Sequence, residues 1–296
     1  MSLFNGFSDS IIPGAIGALF SLVVTFYFSL VARRKLPVAH NVAVIGYPRS
    51  GKTTLITALF SEIFSRKIQS ISITPRGEET ISKVNDDIAR LESGKELGAT
   101  TDQDLFAYRA EMITGKGLFS KRYKIEIGDF PGEDSEELSS KDAQWLHKLP
   151  YFKWVLNADA FIFVIDSEKL INENKSIEYV AQLTSSFRAA WQKLKDHHYD
   201  GIRELRNKPI VLVFSKCDLF DFEIGNDINS RIQAEKEKSS LSGIEDRLTK
   251  EFGDLIQYFK YESSKFNLVF SSSLKKDPKT SIRIGANEVL KGVLPK

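Results

Sequence analysis

Hydrophobic and polar positions divide the chain into two parts. From Ile11 to Ala32 the pattern is one apolar block of 22 residues, uncharged, with only Ser21, Thr25, Tyr27 and Ser29 as polar side chains. A helix rising about 1.5 Å per residue carries such a block across roughly 33 Å, enough for a hydrocarbon core of about 30 Å. Arg33, Arg34 and Lys35 follow at once, whereas the ten preceding residues carry only Asp9 and the terminal amine. This asymmetry predicts a single-pass transmembrane helix over 11–32. The basic side stays in the cytoplasm and residues 1–10 form a short tail outside. A cleavable signal peptide fits less well, because it wants positive charge ahead of a shorter apolar core. Gly14/Ala18 and Gly17/Ser21 are small-x-x-x-small pairs, a face on which two such helices can pack as a homodimer.

Residues 33–40, with Pro37, read as a juxtamembrane linker, and the globular part spans 41–296. There the pattern alternates. Short apolar runs predict strands at Asn41–Gly46, Leu105–Ile113, Arg122–Asp129, Ala158–Asp166, Pro209–Phe214 and Asn267–Phe270. The second and third form a hairpin around Thr114–Gly117. Between strands, apolar residues recur at three and four: Ile81, Val84, Ile88 and Leu91; then Ile177, Val180, Leu183, Phe187, Trp191 and Leu194; then Ile244, Leu248, Phe252, Leu255 and Phe259. Each set predicts a helix with a core-facing stripe. Alternating strands and helices imply an α/β fold, a mainly parallel sheet covered on both faces. Residues 66–98 and 219–243, rich in charge and serine, read as helical insertions, natural places for partner specificity.

Composition changes this picture little. A net charge of +2 with interleaved signs gives no nucleic-acid surface, and no nucleic-acid partner is expected. The single cysteine, Cys217, excludes an internal disulfide and a cysteine-rich zinc site, and the four histidines show no ligand spacing.

The chemistry lies at the strand ends. Gly46-Tyr-Pro-Arg-Ser-Gly-Lys-Thr53 fits G-x-x-x-x-G-K-[ST] between a strand and a helix. In that setting the amides of Gly46, Arg49, Ser50, Gly51, Lys52, Thr53 and Thr54 wrap phosphates while the helix N-terminus adds a favourable dipole. Lys52 reaches the outer phosphates as a point charge and the Thr53 hydroxyl ligates Mg²⁺. A second segment, ending in Asp129-Phe-Pro-Gly132, places a carboxylate at a strand terminus where it can hold Mg²⁺ through water. The Gly132 N–H meets the γ-phosphate. Asp166 is a rival for the metal, but lacks a glycine three residues on. A third, Ser215-Lys216-Cys217-Asp218, follows the run Ile210–Phe214. Its carboxylate can accept two parallel hydrogen bonds from guanine N1–H and N2–H₂; adenine has no such donor pair and would leave Asp218 unsatisfied. Lys216 would lie along the base.

These segments, in this order, resemble the translation-factor-related (TRAFAC-class, Ras-like) P-loop GTPases over about residues 41–292. Ser215-Lys-Cys-Asp218 resembles their Asn/Thr-Lys-x-Asp element, with Ser215 in place of Asn or Thr. Ser271-Ser272-Ser273 resembles their Ser-Ala-Lys loop, in which a backbone N–H such as that of Ser272 meets guanine O6. The resemblance implies a sheet of about six strands with five or more helices, GTP or GDP with Mg²⁺, and a metal-binding switch threonine, taken as Thr101 rather than Thr100. Glu133 stands where the family has a water-orienting glutamine, and its charge opposes the anionic transition state. Slow unassisted hydrolysis is therefore expected. Arg49 occupies the loop position at which guanylate-binding proteins and atlastins hold an internal arginine finger, so Lys52, Arg49, Glu133 and Thr101 form the expected catalytic set. The anchor-plus-GTPase layout is similar to that of the signal-recognition-particle receptor β subunit.

The expected function is a membrane-anchored, cytoplasm-facing GTPase switch with a lipid bilayer around residues 11–32 and an unidentified protein effector or activator. The rival readings are a GTP-bound docking scaffold with little hydrolysis and an ATP-using P-loop protein.

Overall fold

Strand β1 (Val38–Gly46) sends alternate side chains into two different layers, Val42 and Val44 to one side and Ala43 and Ile45 to the other, all buried. A strand apolar on both sides belongs at the centre of a sheet with two covered faces. That is its place in the computed structural model, which describes residues 17–29, 37–68, 72–95, 97, 106–115, 120–129, 154–171, 173–197, 202–220 and 248–295. The other strands are β2 (Ser72–Pro75), β3 (Phe106–Thr114), β4 (Lys121–Asp129), β5 (Ala160–Asp166), β6 (Ile210–Ser215) and β7 (Phe266–Phe270). Their order across the sheet is β2-β3-β4-β1-β5-β6-β7. From β4 to β7 all pairs are parallel; β2, β3 and β4 form an antiparallel edge.

Among the described residues the helices are α1 (17–29), α2 (Lys52–Phe64), α3 (Glu78–Glu92), α4 (Glu173–His197), α5 (Ile202–Asn207), α6 (Gly253–Glu262) and α7 (Ala286–Val293). Both faces of the sheet are covered by helices, of which α1, exposed along its length, is not one. On one face Phe161, Phe163 and Phe214 meet Leu183, Phe187 and Trp191 of α4 and Phe259 of α6. The rings pack tilted or edge-on, with centroids 4.9 Å apart for Phe163–Phe187 and 5.2 Å for Phe161–Trp191, the arrangement ring quadrupoles favour. On the other face Val42, Val44, Ile162 and Val211 pack with Leu55, Ile56 and Leu59 of α2 and with Val289 and Leu290 of α7.

Several expectations change. The sheet has seven strands, not six, because part of the stretch 66–98 taken as a helical insertion is the edge strand β2, paired antiparallel with β3. The remainder of that stretch does hold a helix, α3. Strand β1 begins at Val38, inside the stretch taken as linker, and buried His40 is tied by Nε2 to the Val293 carbonyl at 2.8 Å. Burial holds that imidazole below its ordinary pKa, against the Val293 bond and Asp159. Ile177 does not face the core: it is 78% exposed, and Tyr179 stands in the buried stripe with Leu183 and Phe187. The expected span 11–32 is described only over α1; among the described residues no helix is long and apolar enough to cross a membrane. The insertion at 219–243 beyond Phe220, and Ile244, lie outside the described residues. The β3–β4 hairpin is present, with Thr114 opposite Lys121.

Candidate functional site

Parallel pairing brings the C-terminal ends of β1, β4, β5, β6 and β7 to one edge of the sheet, where an open α/β sheet binds its ligand. Each strand delivers a polar residue there. From β1 the chain enters the loop Gly46–Gly51 through a turn closed by Ser50 N–H donating to the Tyr47 carbonyl at 3.2 Å. Arg49 (φ 59°) and Gly51 (φ 85°) are left-handed. For a non-glycine residue that conformation costs of order 1–3 kcal/mol; with Gly51 it curls the main chain into an amide-lined cradle. Gly46 admits no side chain, since a Cβ there would stand 2.9 Å from Ser50 Oγ and from the Val164 carbonyl. Helix α2 begins directly behind the loop with no side-chain cap and no acidic residue in its first turn. A helix start without a cap or an acidic side chain suits an anion.

Lys52 is buried and its ammonium donates to the carbonyls of Gly46 (2.7 Å) and Tyr47 (2.9 Å). Burial pushes its pKa down to about 8, partly opposed by the Asp129 carboxylate. Thr53 donates its hydroxyl to Asp129 Oδ1 at 3.2 Å, and Asp129 is fully buried at the end of β4. Asp166, the rival carboxylate, is engaged otherwise. Its Oδ1 caps the 3₁₀ turn Ser167–Leu170 through the Glu168 N–H, and its Oδ2 takes the Lys216 ammonium at 3.1 Å. Thr54 is half-buried in the first turn of α2.

The end of β6 locks onto the same loop. The Ser215 hydroxyl shares its proton between the carbonyls of Ser50 (2.7 Å) and Ile165 (3.0 Å). Lys216, left-handed at φ 53°, also bonds Glu168 at 2.8 Å. Burial alone would lower its pKa, but the Glu168 and Asp166 carboxylates hold it above the ordinary value. Its Cε lies 3.9 Å from where a Cβ on Gly51 would stand, so the lysine stem lies over the phosphate loop. Asp218 is the second residue of a 3₁₀ turn, Cys217–Phe220. It is 8% exposed, and its carboxylate has no partner among the described residues. The turn is tied to the loop after β7: Cys217 N–H donates to the Ser271 carbonyl, and Ser271 N–H to that of Phe214.

In that last loop the Ser272 N–H already donates to the Ile284 carbonyl, and its hydroxyl accepts from the Leu274 and Lys275 amides. The next amide, that of Ser273, donates to nothing among the described residues. Arg49 is exposed and makes no ion pair among them. Thr100, Thr101, Gly132 and Glu133 lie outside the described residues. The described residues contain no cluster of three or more His, Cys, Asp or Glu able to hold a metal.

Two features had no signal in the sequence. The Tyr47 hydroxyl is hydrogen-bonded to Ser186 Oγ at 2.7 Å, pinning the phosphate loop to α4. Glu168 holds the outer side of Lys216. Both join residues far apart in the chain, where no local spacing announces them.

A sequence model of the family described as Double-GTPase 2 matches residues 40–254. No curated protein matches the chain. Among solved structures, the G domain of the FeoB iron transporter from T. maritima is 17% identical, with 86% of this chain and 96% of that one covered, at a TM-score of 0.29. The Arl6 (BBS3) small GTPase from Trypanosoma brucei, with a bound nucleotide analogue, is 18% identical over 86% and 94% at a TM-score of 0.37. Roco2 from Methanosarcina barkeri, bound to GDP, is 13% identical over 86% of this chain and 49% of that one at 0.34.

Proposed function

The chain belongs to the double-GTPase 2 family, and on that premise we propose that it is a membrane-tethered GTP switch. It is a GTPase; the finer reading concerns what its own residues do. The amides of Gly46 to Thr54 hold the phosphates, and Lys52 turns from the loop carbonyls toward them. Asp218 accepts from guanine N1–H and N2–H₂. The Ser273 amide, which donates to nothing among the described residues, would serve guanine O6 in place of its neighbour Ser272, and Lys216 would lie along the base.

Thr53 Oγ1 and Asp129 Oδ1 are hard oxygen donors that fit Mg²⁺; bound there, the ion would neutralise phosphate charge. The segment around Thr101 and the Asp129–Gly132 segment are the switches that an effector would read. With Glu133 in place of a neutral amide, hydrolysis is slow until a partner assists, and Arg49, exposed and left-handed, supplies a cation beside the phosphates.

Membrane tethering is supported by α1, whose Leu19, Phe20, Leu22, Phe26 and Phe28 are more than half exposed, and by the uncharged block 11–32 ahead of Arg33-Arg34-Lys35. Lipid is the environment that such a surface fits, with the GTPase body on the cytoplasmic side.

The observation that carries the nucleotide assignment is Asp218, 8% exposed in the turn that is tied to the phosphate-loop edge, whose carboxylate has no hydrogen bond or ion pair among the described residues. Such a carboxylate is free to accept a pair of donors from a ligand. Identification of the nucleotide that stays with the purified full chain tests this. Guanine nucleotide alone is expected; adenine nucleotide in comparable amount contradicts it.

A further inference from the structure

Arg283 lies 230 residues beyond Thr53 in the chain, in the segment that follows the loop after β7. It is 3% exposed, yet every nitrogen of its guanidinium is engaged. Nε donates to the Ser273 carbonyl at 2.8 Å. One terminal nitrogen donates to Ser61 Oγ (2.8 Å) and Glu62 Oε1 (2.7 Å) on α2. The other reaches Glu92 Oε1 at the end of α3 at 2.6 Å. The Arg283 amide donates to Glu62 as well, at 3.3 Å.

One planar fork therefore joins three elements: the helix that begins at the phosphate loop, the loop after β7 at Ser273, whose amide donates to nothing among the described residues, and the helix of the 66–98 stretch. Glu62 is fully buried, and among the described residues this interior charge is compensated by Arg283 and the more distant Lys67 (3.9 Å). An interior ion pair is weak evidence for stability; what fixes the geometry here is that all three guanidinium nitrogens are engaged. Arginine suits this place because its fork presents several donors at fixed angles, which lysine does not.

The backbone around it is built to the same end. Gly285 is left-handed at φ 78°, and a Cβ there would stand 2.3 Å from the Phe270 carbonyl. The segment after Arg283 is thus packed directly under the loop that follows β7. Ile284 supplies the carbonyl taken by both Ser272 N–H and the Ser271 hydroxyl. On the outside, Glu92 is 45% exposed at its side chain and also bonds Lys276 at 2.9 Å. The Glu92 carboxyl is held below its usual range by the Lys276 bond first and by Arg283.

We propose that Arg283 is a positioning residue for guanine. It holds the Ser273 carbonyl, and so, across the backbone of that one residue, the orientation in which the Ser273 N–H meets O6; Glu92 is the outer handle through which the α3 surface sets how long the nucleotide is held. This rests on the guanine reading above. Arg283 itself touches neither base nor phosphate; it acts through the Ser273 carbonyl and through α2.

The test uses the full chain, two variants and five nucleotides. Arg283→Lys keeps the charge but loses the fork. Glu92→Gln alters only the exposed end and leaves the buried pair with Glu62 in place, so it reports even if the first variant does not fold. Release of a fluorescent GDP is expected to be about tenfold faster in Arg283→Lys, the worth of one charged hydrogen bond, and about threefold faster in Glu92→Gln.

6-Thio-GTP, a poor acceptor at position 6, separates positioning from general loosening. Wild type should bind it more weakly than GTP, and both variants should narrow that gap. The penalty for inosine triphosphate, which lacks N2–H₂ and so reports on Asp218, should stay as in wild type. GTP selectivity with unchanged release in the folded variants, or equal change in both penalties, overturns this inference alone. A wild-type chain that holds ATP as well as GTP overturns the guanine reading, and this inference with it.

Discussion

At the scale of single residues, the site couples charge to a ligand not made of protein. Lys52 is held by two carbonyls in a buried setting, and burial brings its pKa to about 8. In the free chain this ammonium loses its proton as pH rises through about 8. Polyanionic phosphate raises the pKa again, so binding must take up a proton above that pH. The sign follows: affinity falls as pH rises past 8, by at most about tenfold per unit for one proton. Calorimetry at pH 8.5 in buffers of different ionisation heat should report this uptake for the wild type and none for Lys52→Met. Equal heats in all buffers for both would contradict it.

Ser215 gives a second residue-scale outcome. Removing its hydroxyl in Ser215→Ala leaves the buried Ser50 carbonyl without that donor, at a cost of about 1–3 kcal/mol where no water replaces it. Nucleotide affinity should fall by about tenfold or more, with the GTP-over-ATP ratio kept, because Asp218 is untouched. Titration of both nucleotides checks it; a lost ratio would mean that Ser215 holds Asp218 rather than the phosphate loop.

At the scale of elements, burial decides which substitutions matter. The stripe of α4 is centred on Tyr179, Leu183 and Phe187, and Ile177 lies about 120° round the helix from that centre. Leu183→Ala should cost about 2–5 kcal/mol by deleting buried methyl groups, whereas Ile177→Ser should stay within about 0.5 kcal/mol. Denaturant unfolding of both variants separates them, and comparable losses would place Ile177 in the core after all.

The same helix shows where sequence stops being enough. Its 3.6 period is plain, but the spacing of Ile177 and Val180 admits a face turned away from the sheet. Central strands such as Phe161–Ile165 and Ile210–Phe214 were legible because burial on both faces makes a continuous apolar run. Strand β2, Ser-Ile-Thr-Pro, was not: four residues with a proline at an edge carry too little pattern, and its partner β3 lies more than thirty residues on. The phosphate loop and the Ser-Lys-Cys-Asp segment were legible because phosphate and guanine chemistry demand contiguous residues. Contacts that hold these segments in place, Tyr47 to Ser186 and Arg283 to Ser61, join residues 139 and 222 apart. Nothing local in the chain marks them.

At the scale of the whole molecule, two parts with different surfaces share one chain. The body carries its apolar residues in two layers around the sheet, while α1 presents Leu22, Phe26 and Phe28 outward. If lipid covers that helix, the full chain should float with vesicles and resist high salt, and a variant with Leu22→Asp and Phe26→Asp should remain behind with its nucleotide site intact. Co-flotation of that variant would contradict the anchor.

Guanine selection by a desolvated carboxylate is the claim on which the rest stands. Calorimetric titration of GTP and ATP into the full chain and its Asp218→Ala variant measures it directly. The account predicts a wild type that prefers GTP by at least about 10²-fold and a variant that has lost most of that preference while still binding triphosphate. Equal affinity for the two nucleotides in the wild type, or a preference that survives the loss of Asp218, would contradict it.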